Sequence, residues 1–430
     1  ESAMEWLEMH NVEYGECIVL GGHHNDLLMV DCGSTNRKIR EGEIDFRSYV
    51  DPALLNRYDG FSNRAFLLTH YHRDHLCGMR EILEKRPGWF STCYLPCTPA
   101  DENGKALLLD FSLIAYAFMT RRTGYGQVNT AAVKIFFQTM RALLGGKLYA
   151  LGEGDRFLFD DVEYEVLWPK RTGFVFEEAF QEISEELNVM LSSPFLPDCV
   201  RDFADLKEDF CKAYLEMCDH SPVREADVAH TTAILNRIDD LIPILQKQPV
   251  ALDICEYLEK PLVREAYSEQ INAAGIIFQN VRKHQATCDD ILMTGDAPAE
   301  VIDSILDFLY SDYYILKAPH HGMESGWSTH FLELNPAHIL ISNGESPAGG
   351  KISPKYAELS GVKHCTNCSA CAWYQTTGCS CNRVSTCYDQ ERPGLALRCP
   401  GNQKGFGGER HLPCGIYVIG PSALRGCLCD

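Results

Sequence analysis

Residues 69–78 read T-H-Y-H-R-D-H-L-C-G, which places His70, His72, Asp74 and His75 within six positions. The run follows the apolar stretch A-F-L-L at 65–68. Imidazole and carboxylate are preferred ligands of zinc and related divalent ions. Side chains two apart on an extended chain share a face, so His70 and His72 can grip one ion. Asp74 and His75 lie past a bend, where the chain turns toward a helix, within reach of a second ion. A His-rich surface loop is the competing reading, and the flanking apolar pattern weighs against it.

Working outward, residues 15–20 (G-E-C-I-V-L) and 27–31 (L-L-M-V-D) read as two strands joined by the turn 21–26. The second runs into D-C-G-S at 31–34. His23 and His24 fall in the turn and read as solvated. Residues 291–296, I-L-M-T-G-D, form an apolar strand ending in T-G-D, and residues 314–322, Y-I-L-K-A-P-H-H-G, a strand ending in H-H-G. Lys317 reads as solvent-facing, the usual state of a lysine, with a side chain turned to the cleft as the alternative.

Taken together these runs resemble the metallo-β-lactamase superfamily. The resemblance implies an α/β fold, the αββα sandwich, with helical insertions in this chain. It also implies a dinuclear site. One ion would be held by His70, His72 and His230, which opens H-T-T within a segment, 229–235, read as a strand. The other would be held by Asp74, His75 and one of His320 or His321, with Asp296 bridging both and Asp31 supporting the site from behind the ligands. Zinc, manganese and iron all accept such a set. Asp74 would orient a hydroxide nucleophile, and whichever of His320 and His321 is not a ligand would donate a proton or hold an oxyanion.

A narrower resemblance is to the soluble domain of the competence protein ComEC type. It rests on G-D-R-F-L-F at 154–159 followed by V-E-Y-E-V-L-W-P at 162–169, on K-A-P-H-H-G at 317–322, and on the strand 338–342 with Ser353-Pro354 after it. The chain departs in having His72 where that group commonly has Asp, and it lacks that group's Asn before the strand read at 229–235. The implied activity is metal-dependent hydrolysis of a phosphodiester, in nucleic acid or a nucleotide-type molecule. Hydrolysis of a thioester, lactone or amide is the alternative, and a non-catalytic metal-binding interaction module is a third reading. Fold alone does not choose among them.

With 430 residues and 45% hydrophobic content the chain can bury a large core. The core domain reads as 1–363, with helical insertions at about 98–146, 171–226 and 238–290 that would shape access to the site. The longest apolar stretch, 106–119, is broken by Asp110 and too short to span a bilayer. No cationic segment followed by an apolar one opens the sequence, so a cytoplasmic location is expected.

The net charge of −21 is uneven. Residues 351–430 carry 9 Lys/Arg against 5 Asp/Glu, a net of +4, which leaves −25 on the remainder. Ten of the 20 cysteines lie there: Cys365, Cys368, Cys371, Cys379, Cys381, Cys387, Cys399, Cys414, Cys427 and Cys429, with His364 and His411 nearby. Residues 364–414 read as a Cys-rich insertion before a last core strand at 415–419 and a C-x-C tail at 427–429. Paired C-x-x-C elements favour one to three structural zinc ions. Disulfides and an iron–sulfur cluster are the alternatives. Basic residues with Trp373, Tyr374, Tyr388 and Phe406 suit contact with nucleic acid or protein.

Overall fold

The computed structural model describes residues 4–10, 12–22, 24–35, 46–119, 131–282, 290–344, 351–366, 386–388, 396–398 and 416–419. The chain opens with β1 (Met4–His10), β2 (Ile18–Gly22) and β3 (Asp26–Val30), an antiparallel ribbon. The short helix α1 (Phe46–Val50) leads to β4 (Asn63–Leu67), α2 (Arg73–Lys85) and β5 (Thr92–Pro96). Two helices, α3 (Leu107–Met119) and α4 (Ala131–Ala142), precede β6 (Lys147–Leu151), β7 (Arg156–Phe159) and β8 (Val162–Trp168).

Five helices follow without an intervening strand: α5 (Glu178–Leu191), α6 (Asp198–Cys218), α7 (Glu225–Leu245), α8 (Pro249–Leu258) and α9 (Pro261–Ala273). The core resumes with β9 (Ile277–Asn280), β10 (Ile291–Met293), α10 (Ala299–Ser304), β11 (Ile315–Lys317), β12 (His338–Ile341) and β13 (Val362–Cys365). Strands β14 (Thr386–Tyr388), β15 (Ala396–Arg398) and β16 (Ile416–Ile419) complete it.

Two sheets result, ordered β14-β15-β16-β1-β2-β3-β4-β5-β6 and β13-β12-β11-β10-β9-β8-β7. Each has an antiparallel stretch and then a parallel run, β3 to β6 in one and β10 to β13 in the other. Their inner faces meet through aromatic rings, Tyr94 of β5 lying 4.9 Å from Phe157 of β7. The architecture is the α/β sandwich with helical insertions that the sequence predicts. In open sheets ligands bind beyond the carboxyl ends of parallel strands. That edge is reached here by residues following β3, β4, β10 and β11.

The segment 229–235, expected as a strand, lies inside α7. The buried residues of that helix are Val228, Thr231, Ile234, Leu235, Ile238, Ile242 and Leu245, one face at three-to-four spacing that continues the helix on both sides. The strand that pairs with β8 is instead β9, and β9 pairs in turn with β10. The helices of the insertion are tied together by polar contacts as well as apolar ones. Tyr116 of α3 donates to Asp239 of α7 at 2.5 Å, and Lys207 of α6 pairs with Asp110 of α3.

Of the Cys-rich region, the structure places Cys365, buried at the end of β13, and Cys387 in β14. Cys368, Cys371, Cys379, Cys381, Cys399, Cys414, Cys427, Cys429 and His411 lie outside the described residues. His23 does too, while His24 is exposed and pairs with Asp161 at 2.8 Å. Among the described residues no helix is long and apolar enough to cross a membrane.

A buried polar knot stands behind the first sheet. His10 bonds the hydroxyls of Tyr49 and Tyr58, both at 2.6 Å, and Arg57 pairs with Glu8 at 2.6 Å. Burial, helped by Arg57, lowers the His10 pKa to about 3. The folded pKa is therefore below the unfolded one, so stability is lost as pH falls from about 6.5 toward 3. We expect His10 to account for about 2 kcal/mol of stability lost between pH 6.5 and 5. Urea unfolding of His10→Gln should show a correspondingly flatter pH dependence; an unchanged slope would assign the acid sensitivity elsewhere.

Candidate metal centre

The chain leaving β4 delivers Thr69, His70 and His72, and α2 opens immediately with Asp74 and His75 in its first turn. Asp31, following β3, organises them. Its Oδ1 accepts from the Thr69 backbone N–H at 2.7 Å. Its Oδ2 accepts from the Thr69 hydroxyl at 2.7 Å and lies 2.8 Å from His75 Nδ1. His70 Nδ1 in turn meets the Thr69 hydroxyl at 3.0 Å. One carboxylate thus orients two imidazoles. Asp31 and the D-C-G-S loop also seat the helix: Cys32 N–H donates to His75 O at 2.7 Å, and Glu16 N–H to Asp74 O at 3.0 Å.

From the second sheet, β10 ends before Asp296 and β11 before His320 and His321. Both histidines have left-handed backbone, with φ of 48° and 55°. Such strain in a non-glycine residue persists where surrounding structure enforces it, often at functional sites. His321 Nδ1 faces the Ser342 carbonyl at 2.9 Å, and Nε2 points inward. There it lies 3.1 Å from Asp296 Oδ2, 3.2 Å from Asp74 Oδ2 and 3.4 Å from His75 Nε2. His75 Nε2 is 3.2 Å and His70 Nε2 3.8 Å from the same Asp296 oxygen. His72 Nδ1 lies 3.1 Å from His70 Nε2, while its Nε2 meets the Ser268 hydroxyl at 3.1 Å.

Four imidazoles therefore share one arrangement, an outer nitrogen held by a hydrogen-bonding partner and an inner nitrogen turned inward: His70, His75 and His321 converge on Asp296, and His72 meets His70. Metal-ligating histidines are held this way. Two donors about 2.0–2.1 Å from one tetrahedral zinc lie roughly 3.3 Å apart, and the inner separations fall around that value. The residues fit divalent metal.

The electrostatics fit as well. Burial opposes charge on His75 and His321, yet the carboxylates of Asp296, Asp31 and Asp74 hold His75 well above its ordinary pKa. Asp296 and Asp74 raise His321 to about 9. Asp74 is buried too, and His75 and His321 hold its carboxyl at about 2. Without metal, protons on the imidazoles neutralise the carboxylates. Burial lowers His70 and His72, and it lowers His320 to about 4. His320 Nδ1 faces the Ser325 hydroxyl at 2.7 Å, and its Nε2 lies 3.5 Å from Asn272 Nδ2.

Two expectations are corrected. His230 is exposed on α7, off the stripe that packs inward, and it contributes nothing to the cluster. His230→Ala should leave the metal content and activity unchanged; a lost ion would restore it to the site. Lys317, expected in solvent, is buried. Its ammonium lies 2.5 Å from Glu16, 2.7 Å from the Gly295 carbonyl and 3.5 Å from Asp296.

Four residues near the centre escaped the sequence reading. Glu16, with His75, Asp296 and His321, offers ligand atoms all within 4.8 Å of one another; its signal was a lone acid in an apolar strand. The Tyr14 ring lies 4.5 Å from that of His321. Ser268 and Asn272 come from α9, and Asn272 Oδ1 is buried without a hydrogen-bond partner among the described residues.

The matching region of the chain is its first part. Residues 10–87 match the model of the Metallo-beta-lactamase superfamily. That segment holds Asp31, His70, His72, Asp74 and His75. Among solved structures, MEM-A1, a subclass B3 metallo-beta-lactamase isolated from a soil metagenome library, is similar at 11% identity. It covers 56% of this chain and 95% of its own, with a TM-score of 0.22. No curated protein matches the chain.

Proposed function

We propose that the chain is a metal-dependent hydrolase. The observation that carries this reading is the set of four imidazoles, each tethered by its outer nitrogen: His70, His75 and His321 turn inward on Asp296, His75 and His321 also on Asp74, and His72 on His70. A purely structural metal site is usually closed and needs no such surplus of donors. His75, His321, Asp74 and Asp296 would hold one ion. His70 and His72 would hold a second, with Asp296 facing both sets. Divalent ions bound there would lower the pKa of a water between them and stabilise charge building on a phosphoryl or carbonyl oxygen.

The chain's own groups supply the rest. Asp31 and Ser342 keep His75 and His321 in the tautomers that expose Nε2. Asp74, at the opening of α2, is placed to orient the nucleophile. His320, neutral and braced by Ser325, is placed to donate a hydrogen bond to a developing oxyanion. Lys317 balances Asp296 and Glu16 from behind and does not act on substrate.

We infer a phosphodiester as substrate, from the ComEC-type segments at 154–169 and 317–322. Asn272, ahead of β9, adds an amide beside His320 that suits a polar substrate oxygen. In this reading, zinc is the metal, the Cys-rich segment carries structural zinc, and its basic residues meet a nucleic-acid substrate. Metal-replete protein should hydrolyse bis(p-nitrophenyl) phosphate, and Asp74→Ala should abolish this with the fold retained. Turnover of thioesters or lactones alone would move the assignment to the carbonyl alternative. No turnover of either would leave a binding module.

Metal uptake should also release protons, because His75 and His321 are protonated in the metal-free site. The ligand must lose its proton, so apparent affinity should weaken as pH falls below about 9, by up to about tenfold per pH unit for each proton displaced. Calorimetry in buffers of different ionisation enthalpy would count those protons, and an affinity flat between pH 9 and 6 would contradict the ionic state described.

A further inference from the structure

Beside His70 lies a small cavity of about 30 Å³, larger than a single water needs and far smaller than a pocket for a whole ligand. Its wall is formed by Leu108 and Leu109 of α3, Tyr214 of α6, and Ile271 and Ala274 at the end of α9, with His70 at one side. The hydroxyls that border it are already engaged. Ser112 bonds the Leu108 carbonyl and the Tyr267 hydroxyl, each at 2.7 Å. Tyr71 donates to the Pro96 carbonyl at 3.1 Å, and Tyr214 pairs with Tyr71 and Thr98. A buried water needs two to four polar partners, and this wall offers few free ones. The space suits an apolar occupant.

The same helix borders both the cavity and the metal centre. Ser268 and Asn272, one turn apart on one face of α9, reach His72 and His320. Ile271 and Ala274 of that helix turn toward the cavity. A molecule lying along α9 would place a polar group at the imidazoles and carbon in the cavity.

We propose that this cavity is a substrate subsite for a small apolar substituent, a short alkyl group carried next to the scissile group. The proposal rests on the hydrolase reading for the word substrate, but the cavity's preference for apolar chains can be measured without turnover. It makes the insertion a specificity element, because α3, α6 and α9 build the wall.

The test uses n-alkylphosphonates from methyl to hexyl, titrated calorimetrically into the metal-replete full chain. The dissociation constant should fall about fourfold per added methylene until the cavity is full. Ala274→Phe, which fills the cavity, should flatten that series, and so should Ala132→Leu at its α4 side. Two variants guard against one misfolding, and thermal unfolding identifies a variant that has not folded. Absence of binding, a series independent of chain length, or a series that both folded variants leave intact would overturn the proposal and reduce the cavity to a packing void. Turnover of methyl p-nitrophenyl phosphate is followed alongside. A chain-length series without turnover of any substrate would retire the hydrolase reading and keep the subsite. Turnover without a chain-length series would do the reverse.

Discussion

Replacing Asp296 by alanine should empty the centre of metal and lower hydrolysis by at least about a thousandfold. One oxygen of this carboxylate faces three inner imidazole nitrogens, at 3.1, 3.2 and 3.8 Å, while the other lies 3.5 Å from Lys317. Among the described residues no other side chain faces both sets of donors in this way. The loss extends to the metal-free protein, where His75, His321 and Lys317 would share too little negative charge in a buried site. Breaking a buried charge pair from one side costs about 3–5 kcal/mol. Asp296→Asn preserves the shape and removes the charge, so it should lose metal with a smaller loss of stability. Metal content by mass spectrometry, hydrolysis and chemical unfolding measure the three effects. A variant that keeps its metal and a tenth of its activity would remove Asp296 from the centre.

Gly33→Ala should be nearly as damaging, although Gly33 touches no metal ligand's functional group. A Cβ built there would lie 2.4 Å from the carbonyl carbon of Asp74, 2.6 Å from its oxygen and 2.6 Å from His75 N. These are backbone atoms at the start of α2, already fixed by bonds from Cys32 and Glu16. They have no rotamer to change, so the helix end must move. Overpacking in cores costs about 1–3 kcal/mol, and we expect the upper end of that range. Because Asp74 and His75 ride on the displaced turn, metal affinity should fall with stability. Wild-type unfolding and wild-type metal affinity in Gly33→Ala would show that the loop yields more easily than the geometry implies.

The centre was legible where its residues are local in sequence. The run 69–78 carries its own spacing, and a strand does precede each of D-C-G-S, T-G-D and H-H-G, although each ends earlier than the sequence suggests, at Val30, Met293 and Lys317. Between His320 and His321 the sequence offered no choice; the Ser342 carbonyl, which turns His321 Nε2 inward, made it. The misreadings share a cause. H-T-T at 230–232 looks like a motif only when read in isolation, and the apolar spacing from Val228 to Leu245 shows it belongs to a helix. Moving the core strand from 229–235 to β9 then brings Asn272 and Ser268 into place, which no local pattern foretold. Lys317 was misjudged because a lysine's usual exposure is a statement about averages, whereas Glu16 and Asp296 compensate this one inside the core.

The pairing of β16 with β1 has a practical bearing on any shortened form of the chain. Leu7 to His10 align in parallel with Ile416 to Ile419, and β15 then aligns with β16. Removing everything after β13 would strip that partner and leave β1 with a bare row of amides and carbonyls. Unprotected edges of this kind recruit other chains. A truncated protein would therefore be prone to aggregate even with every histidine of the centre intact.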